Sequence, residues 1–116
     1  MSADWRAEIL ARLADGPFAA RVRVFGSAAD AGADPKDVDV LVDGTSRKEG
    51  SALLGLAREF YGRFDPFVLQ HGVLWVRSDD ATGWIRARNA AAILRAAAAG
   101  ITLAEAIANA SRAPSP

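Results

Sequence analysis

Asp37 and Asp39 flank Val38 and lead into an apolar run, Val40-Leu41-Val42. Acids at positions i and i+2 of a strand point to the same face, about 7 Å apart along the chain. That spacing lets two short carboxylates reach cations about 3.5–4 Å apart, the two-metal arrangement for in-line displacement at phosphorus. Mg²⁺ suits such a pair, because it binds through one or two carboxylates and fills its octahedron with phosphate oxygens and water. Upstream, Val24-Phe25-Gly26-Ser27 reads as a strand that ends on glycine. With no Cβ at Gly26, backbone can approach a phosphate closely. The N–H groups that follow form an anion site, and the Ser27 hydroxyl can add a hydrogen bond to a terminal phosphate oxygen. A third acid from a neighbouring strand would complete the constellation. Asp65, in Arg63-Phe64-Asp65-Pro66-Phe67-Val68, is the candidate, placed to ligate an ion and to take the proton of an attacking hydroxyl. Pro66 lacks a ladder donor and predicts an edge strand there.

The elements around these residues follow from periodicity. Trp5, Ile9 and Leu13 recur every four residues and predict a first helix, stopped by Gly16-Pro17. Arg21 to Phe25 alternates polar and apolar residues, the strand period. Ala28 to Ala33 is expected to form a short helical turn broken by Asp34-Pro35, and Asp37 to Val42 a second strand closed by Asp43-Gly44. Ser46-Arg47-Lys48-Glu49 has capping-box spacing and opens a long helix with Leu53, Leu54, Leu56, Ala57, Phe60 and Tyr61 on one face. Phe64 to Leu69 and Val73 to Val76 are strands, and so short a link as Gln70-His71-Gly72 makes them an antiparallel hairpin. A third helix is expected from about Thr82 to Ala99, stopped by Gly100, and Thr102-Leu103-Ala104-Glu105 caps a last one. The fold class is therefore α/β in the broad sense (α+β): a mixed sheet of about four strands with helices packed on it. One domain over residues 1–111 is expected, followed by a flexible tail at 112–116.

Composition narrows the function classes. Hydrophobic residues make up 51% of the 116, enough for a core without covalent staples. Lys and Arg number 14, as do Asp and Glu, whereas a nucleic-acid binder usually carries an excess of cations; any such contact here would be a local patch. There is no cysteine, which removes disulfides and thiolate metal sites and suits a reducing compartment. Met1 to Arg6 has no apolar run of signal-peptide type. Ala90 to Ala99, interrupted by Arg95, is too alanine-rich to span a bilayer. A cytoplasmic protein with no membrane partner is expected.

A strand ending in Gly26-Ser27, nine intervening residues, and then Asp37-Val38-Asp39 running into an apolar strand resembles the DNA polymerase beta nucleotidyltransferase superfamily. More narrowly it resembles the minimal nucleotidyltransferases, which include the antitoxin partners of HEPN-type toxins. The likeness covers roughly Val22 to Leu69. It implies a nucleotidyltransferase fold in which Gly26 and Ser27 hold the triphosphate of ATP, while Asp37, Asp39 and Asp65 bind two Mg²⁺ ions and carry the catalysis. It also implies transfer of a nucleotide, often AMP, to a protein or small-molecule hydroxyl; a HEPN-type toxin is the favoured acceptor, and an aminoglycoside-like one would normally need an added substrate-binding domain. The sequence departs from the family in placing Ala28, Ala29 and Asp30 where a phosphate-binding cation often follows Gly-Ser, and Lys36 where serine often precedes the first metal Asp. Lys36 or Lys48 is left to supply that charge. The alternative is a catalytically inactive module of the same fold, or an antitoxin acting by contact.

Rival Asp-x-Asp chemistries fit less well. Haloacid-dehalogenase-type phosphatases place the acids at the C-terminal end of an apolar strand, whereas here the apolar run follows them. Nucleotide-sugar glycosyltransferases use a similar pair within a longer domain. His71 is expected exposed at the hairpin turn, Asp43 as a turn residue, and Trp75 and Trp84 as packing residues. Arg77, Arg86, Arg88 and Arg95 read as a solvated helical face. The alanine-rich third helix can pack closely against the core, a second copy or a partner.

Overall fold

The computed structural model describes residues 4–30 and 35–111. Its elements are α1 (Trp5–Ala14), β1 (Val22–Phe25), β2 (Val38–Asp43), α2 (Arg47–Glu59), β3 (Phe64–Gln70), β4 (Val73–Arg77), β5 (Trp84–Arg86), α3 (Ala90–Ala98), β6 (Ile101–Thr102) and α4 (Leu103–Ser111). The strands form one mixed sheet in the order β5-β4-β3-β2-β1-β6. Only β2 and β3 run parallel, and α2 is the crossover that a parallel pair requires.

Alternation along the strands divides the apolar residues between the two faces of the sheet. Val22, Val24, Val38, Val40, Val42, Phe64 and Val68 meet Ile9, Leu10 and Leu13 of α1, Leu53, Leu56 and Ala57 of α2, and Leu103 and Ala106 of α4. On the opposite face Phe25, Leu41 and Leu74 meet Ile93 and Ala97 of α3, with Phe67, Leu69 and Val76 packed alongside. Helix ends are fixed as the sequence indicates. Ser46 and Glu49 form the reciprocal capping box at the start of α2, and Thr102 and Glu105 exchange the same two bonds at the start of α4. His71 (φ 52°) and Gly72 (φ 75°) form the two-residue link between β3 and β4; positive φ at both central residues is the demand of a type I′ turn.

The sheet has six strands instead of about four. Residues 82–88 are not helical: Trp84–Arg86 pairs with Trp75–Arg77 as β5, and α3 begins only at Ala90. The preceding turn forces this. The Ser78 hydroxyl donates to Asp80 and accepts the N–H groups of Thr82 and Gly83, while the Ser78 N–H donates to the Gly83 carbonyl. The chain is thereby reversed into a hairpin before any helix can start. The sixth strand is Ile101–Thr102, which pairs with Val24 and Arg23. A second correction concerns Pro66, which lies in an interior strand, not at an edge. The carbonyls of Arg63 and Leu69 bond toward β2, so the even-numbered positions of β3 face β4, and the β3–β4 ladder begins at Phe67 opposite Val76. The N–H that Pro66 lacks would have pointed beyond that ladder. After β1 a 3₁₀ turn covers Gly26–Ala29; the rest of the helical turn expected to Ala33, its break at Asp34 and the tail at 112–116 lie outside the described residues.

Gly100 is where α3 hands over to β6, and a Cβ there would sit 2.3 Å from the Val24 carbonyl oxygen. Backbone cannot yield as a flexible side chain does. Gly100→Ala should therefore lower unfolding stability by roughly 2–3 kcal/mol, the scale of core overpacking. Gly83→Ala, whose Cβ would meet nothing within 4 Å, should change it by no more than about 1 kcal/mol. Urea denaturation of both variants measures the difference.

Candidate functional site

The antiparallel β1–β2 pairing and the parallel β2–β3 pairing bring three chain segments to one end of the sheet. Phe25 is opposite Asp39, and Asp39 is opposite Asp65. Both acids share the sheet face of Leu41, Phe67 and Leu69, the face covered by α3. Asp37 immediately precedes β2, and one carboxylate oxygen from each of Asp37, Asp39 and Asp65 lies within 4.8 Å of the others. All three residues are half-buried. The structure thus gathers all three acids singled out in the sequence.

Gly26 lies directly against this group. It has φ +70°, the left-handed region, and a Cβ there would be 2.8 Å from Asp39 Oδ2. Glycine is required on two counts: by backbone conformation, and because the Asp39 carboxylate occupies the space of a side chain. Ser27 is exposed next to it, in the 3₁₀ turn, and its hydroxyl has no hydrogen-bond partner among the described residues. Ala28 is buried in the main core, so a cation at that position could not reach the site without leaving the core.

The electrostatics follow from this crowding. Burial first, then the charges of Asp37 and Asp65, push the Asp39 carboxyl up to about 7. Asp37 is raised by burial and by Asp65, and Arg77 opposes the shift. Arg77 is the residue that sequence reasoning missed. It ends β4, not a helical face, and its Nε lies 3.0 Å from Asp65 Oδ1. Its Nη1 donates to the carbonyls of Ser78 (3.0 Å) and Asp79 (3.4 Å). The hairpin gives part of the signal: counting outward from Gln70 opposite Val73 reaches Phe67 opposite Val76. One further step sets Arg77 opposite Pro66, the neighbour of Asp65, which brings Arg77 to this end of the sheet without by itself pairing it with Asp65. Arg86, Arg88 and Arg95 are exposed, on β5, in the following loop and on α3. Of the two lysines left to supply a cation, Lys36 is exposed just before Asp37, whereas Lys48 is in the first turn of α2, past the opposite end of β2. His71 is exposed at that opposite end too, and Trp75 and Trp84 pack against the main core.

Three carboxylates are an all-oxygen donor set of the kind hard divalent cations take. One carboxylate oxygen from each lies within 4.8 Å of the others, so the three residues could hold a divalent ion. Comparison of the chain with protein-family models, with curated proteins and with solved structures gives no match. The functional reading rests on these residues and their placement.

A carboxyl raised from 3.8 in the unfolded chain to about 7 in the fold keeps its proton in the native state between those values while the unfolded state has lost it. Stability must then fall as pH rises through that window and stay low above it. Asp39→Asn, which cannot ionise, should unfold at a higher urea concentration than wild type at pH 8, with a much smaller advantage at pH 5. Millimolar Mg²⁺ should raise the wild-type midpoint at pH 8 and leave that of the variant nearly unchanged.

Proposed function

We propose that the protein is a metal-dependent nucleotidyltransferase of the minimal type. The observation that carries this reading is the convergence of Asp37, Asp39 and Asp65, drawn from two adjacent strands, on the end of β1 where Gly26 and Ser27 stand. A triphosphate placed over Gly26-Ser27 would meet the exposed Ser27 hydroxyl on one side and the carboxylates on the other. Asp37, Asp39 and Asp65 would hold Mg²⁺, which supplies charge neutralisation on the triphosphate and on the transition state. In the reaction an acceptor hydroxyl oxygen bonds to the α-phosphorus and the bond from that phosphorus to the pyrophosphate oxygen breaks. The hydroxyl proton passes to a carboxylate, Asp65 in this assignment, and pyrophosphate leaves. ATP as donor, AMP as the transferred group, and a protein hydroxyl on a HEPN-type toxin as acceptor follow from the family resemblance alone. Among the described residues no helix is long and apolar enough to cross a membrane.

Two observations favour a second reading, a non-catalytic binding module of this fold. Asp65 already has a counter-ion in Arg77, and Ala28 and Ala29 offer no cation after Gly26-Ser27.

The two readings separate on labelled nucleotide. With Mg²⁺ and ATP labelled at the α-phosphate, the nucleotidyltransferase should transfer label to a hydroxyl acceptor and release pyrophosphate in equal amount, whereas γ-label should leave with the pyrophosphate. Asp37→Asn and Asp39→Asn should each reduce the rate by about 100-fold or more, the scale of losing a group that stabilises transition-state charge. A wild-type protein that binds neither Mn²⁺ nor ATP at millimolar concentration would remove the enzymatic reading.

A further inference from the structure

We propose that Arg77 is the triphosphate-binding cation of this site, parked on Asp65 while the site is empty and transferred to phosphate oxygens when a triphosphate arrives, which frees Asp65 for metal. This rests on the nucleotidyltransferase reading and adds to it a residue outside the Gly-Ser and Asp-x-Asp segments. Three features of the structure support it.

The first is position. Arg77 is the last residue of β4, antiparallel to β3, so it comes to the same end of the sheet as Asp65, Asp39 and Gly26. The second is the character of the contact. Arg77 and Asp65 form an ion pair at 3.0 Å through Nε, with no bidentate bonding. Arg12, by contrast, donates from Nη1 and Nη2 to the two oxygens of Glu59 at 2.8 Å each. A single contact between partly exposed groups is easily exchanged, because such pairs contribute about 1 kcal/mol or less. Among the described residues the hydrogen bonds of Arg77 engage Nη1, and its side chain is 22% exposed, so Nη2 can take a further acceptor. That planar fork matches phosphate as well as carboxylate.

The third feature is the support. Nη1 is held on the Ser78 and Asp79 carbonyls, within a turn made rigid by Ser78, Asp80 and Thr82. That turn is tied to α2 by the bond from Arg58 Nη1 to the Ala81 carbonyl at 2.6 Å. The guanidinium is therefore anchored at one nitrogen while its other edge moves from carboxylate to phosphate. The charges also change in the right order. Three ionised carboxylates and Arg77 sum to −2, which one divalent ion balances; a further ion then makes the site positive, and Arg77 has reason to leave Asp65 only when a polyanion arrives.

Arg77→Ala and Arg77→Gln distinguish this role from a structural one; Gln can still donate to the Ser78 and Asp79 carbonyls but carries no charge. Mn²⁺ binding without nucleotide, read by electron paramagnetic resonance, should tighten by about three- to tenfold in both variants, since a competing cation has left Asp65. Calorimetric binding of ATP in the presence of Ca²⁺ should weaken by about tenfold or more, the loss of one charge-assisted phosphate contact. The opposite signs are the signature. If wild type binds both ligands and the variants change neither, or weaken both, Arg77 is structural and the proposal falls while the nucleotidyltransferase reading stands. If wild type binds neither, both fall. Thermal melts followed by circular dichroism identify a variant that has not folded, and the other variant then decides.

Discussion

The parallel register of β2 and β3 sets Asp39 beside Asp65, and Asp37 enters the same space from the end of β2. Two like charges about 4–5 Å apart repel by roughly 3–4 kcal/mol at an effective dielectric constant of 20. Three carboxylates carry three such pairs. One partly exposed ion pair, worth about 1 kcal/mol or less, leaves most of that repulsion in place, so Arg77 does not neutralise the group. The fold answers in the other way open to it, by holding the proton on Asp39 to about pH 7. A divalent cation would remove the repulsion outright, since it attracts all three groups at once.

The rest of the molecule fixes that register. A parallel pair needs a crossover, and α2 provides it, with its first turn closed by the Ser46–Glu49 capping box and held by Arg21. The Arg21 guanidinium bonds the Asp43 and Gly44 carbonyls and the Glu49 carboxylate, pinning the end of β2 and the start of α2 to the residue before β1. On the other face Arg23 reaches from β1 to the carbonyls of Ala97, Ala98 and Gly100, where the negative end of a helix dipole favours a cation. Val40 and Val42 face the α1, α2 and α4 layer while Asp39 and Leu41 face α3. A one-residue slip of β2 would exchange these sets and bury the acid among valines. The same packing that stabilises the sheet thus positions the carboxylates.

Much of this was legible because the decisive signals are local. The Asp-x-Asp spacing, the strand around it, the capping boxes at Ser46 and Thr102 and the two-residue hairpin at His71-Gly72 each depend on a few neighbouring residues. Where the sequence misled, the deciding interaction was distant. Residues 82–88 lie among helix-forming neighbours, but the pairing of Trp84–Arg86 with β4 decides their state, as tertiary context does for short segments. Pro66 signals an edge only if its N–H would have had a partner, and that depends on where the β3–β4 ladder starts. Arg77 reads in sequence as one of several solvated arginines; the hairpin register brings it to the end of the sheet opposite Pro66, and its contact with Asp65 is seen only in the side-chain placement.

Under the proposed reading, the lack of a cation directly after Gly26-Ser27 has a structural counterpart. Ala28 is fully within the core, because the turn after Gly26 directs that side chain inward against α4 and the sheet. An arginine or lysine there would either bury a charge, at a cost of several kcal/mol, or open the turn that presents Ser27. The chain has a cation at the same end of the sheet by another route, from the far strand of the β3–β4 hairpin. A cation on β4 approaches from the Asp65 side, whereas one after Gly-Ser would approach from the Asp39 side. Under the proposed reading that difference has a consequence for order. Arg77 would keep Asp65 engaged until phosphate drew it away, leaving Asp37 and Asp39 as the carboxylates that could hold metal before a triphosphate binds.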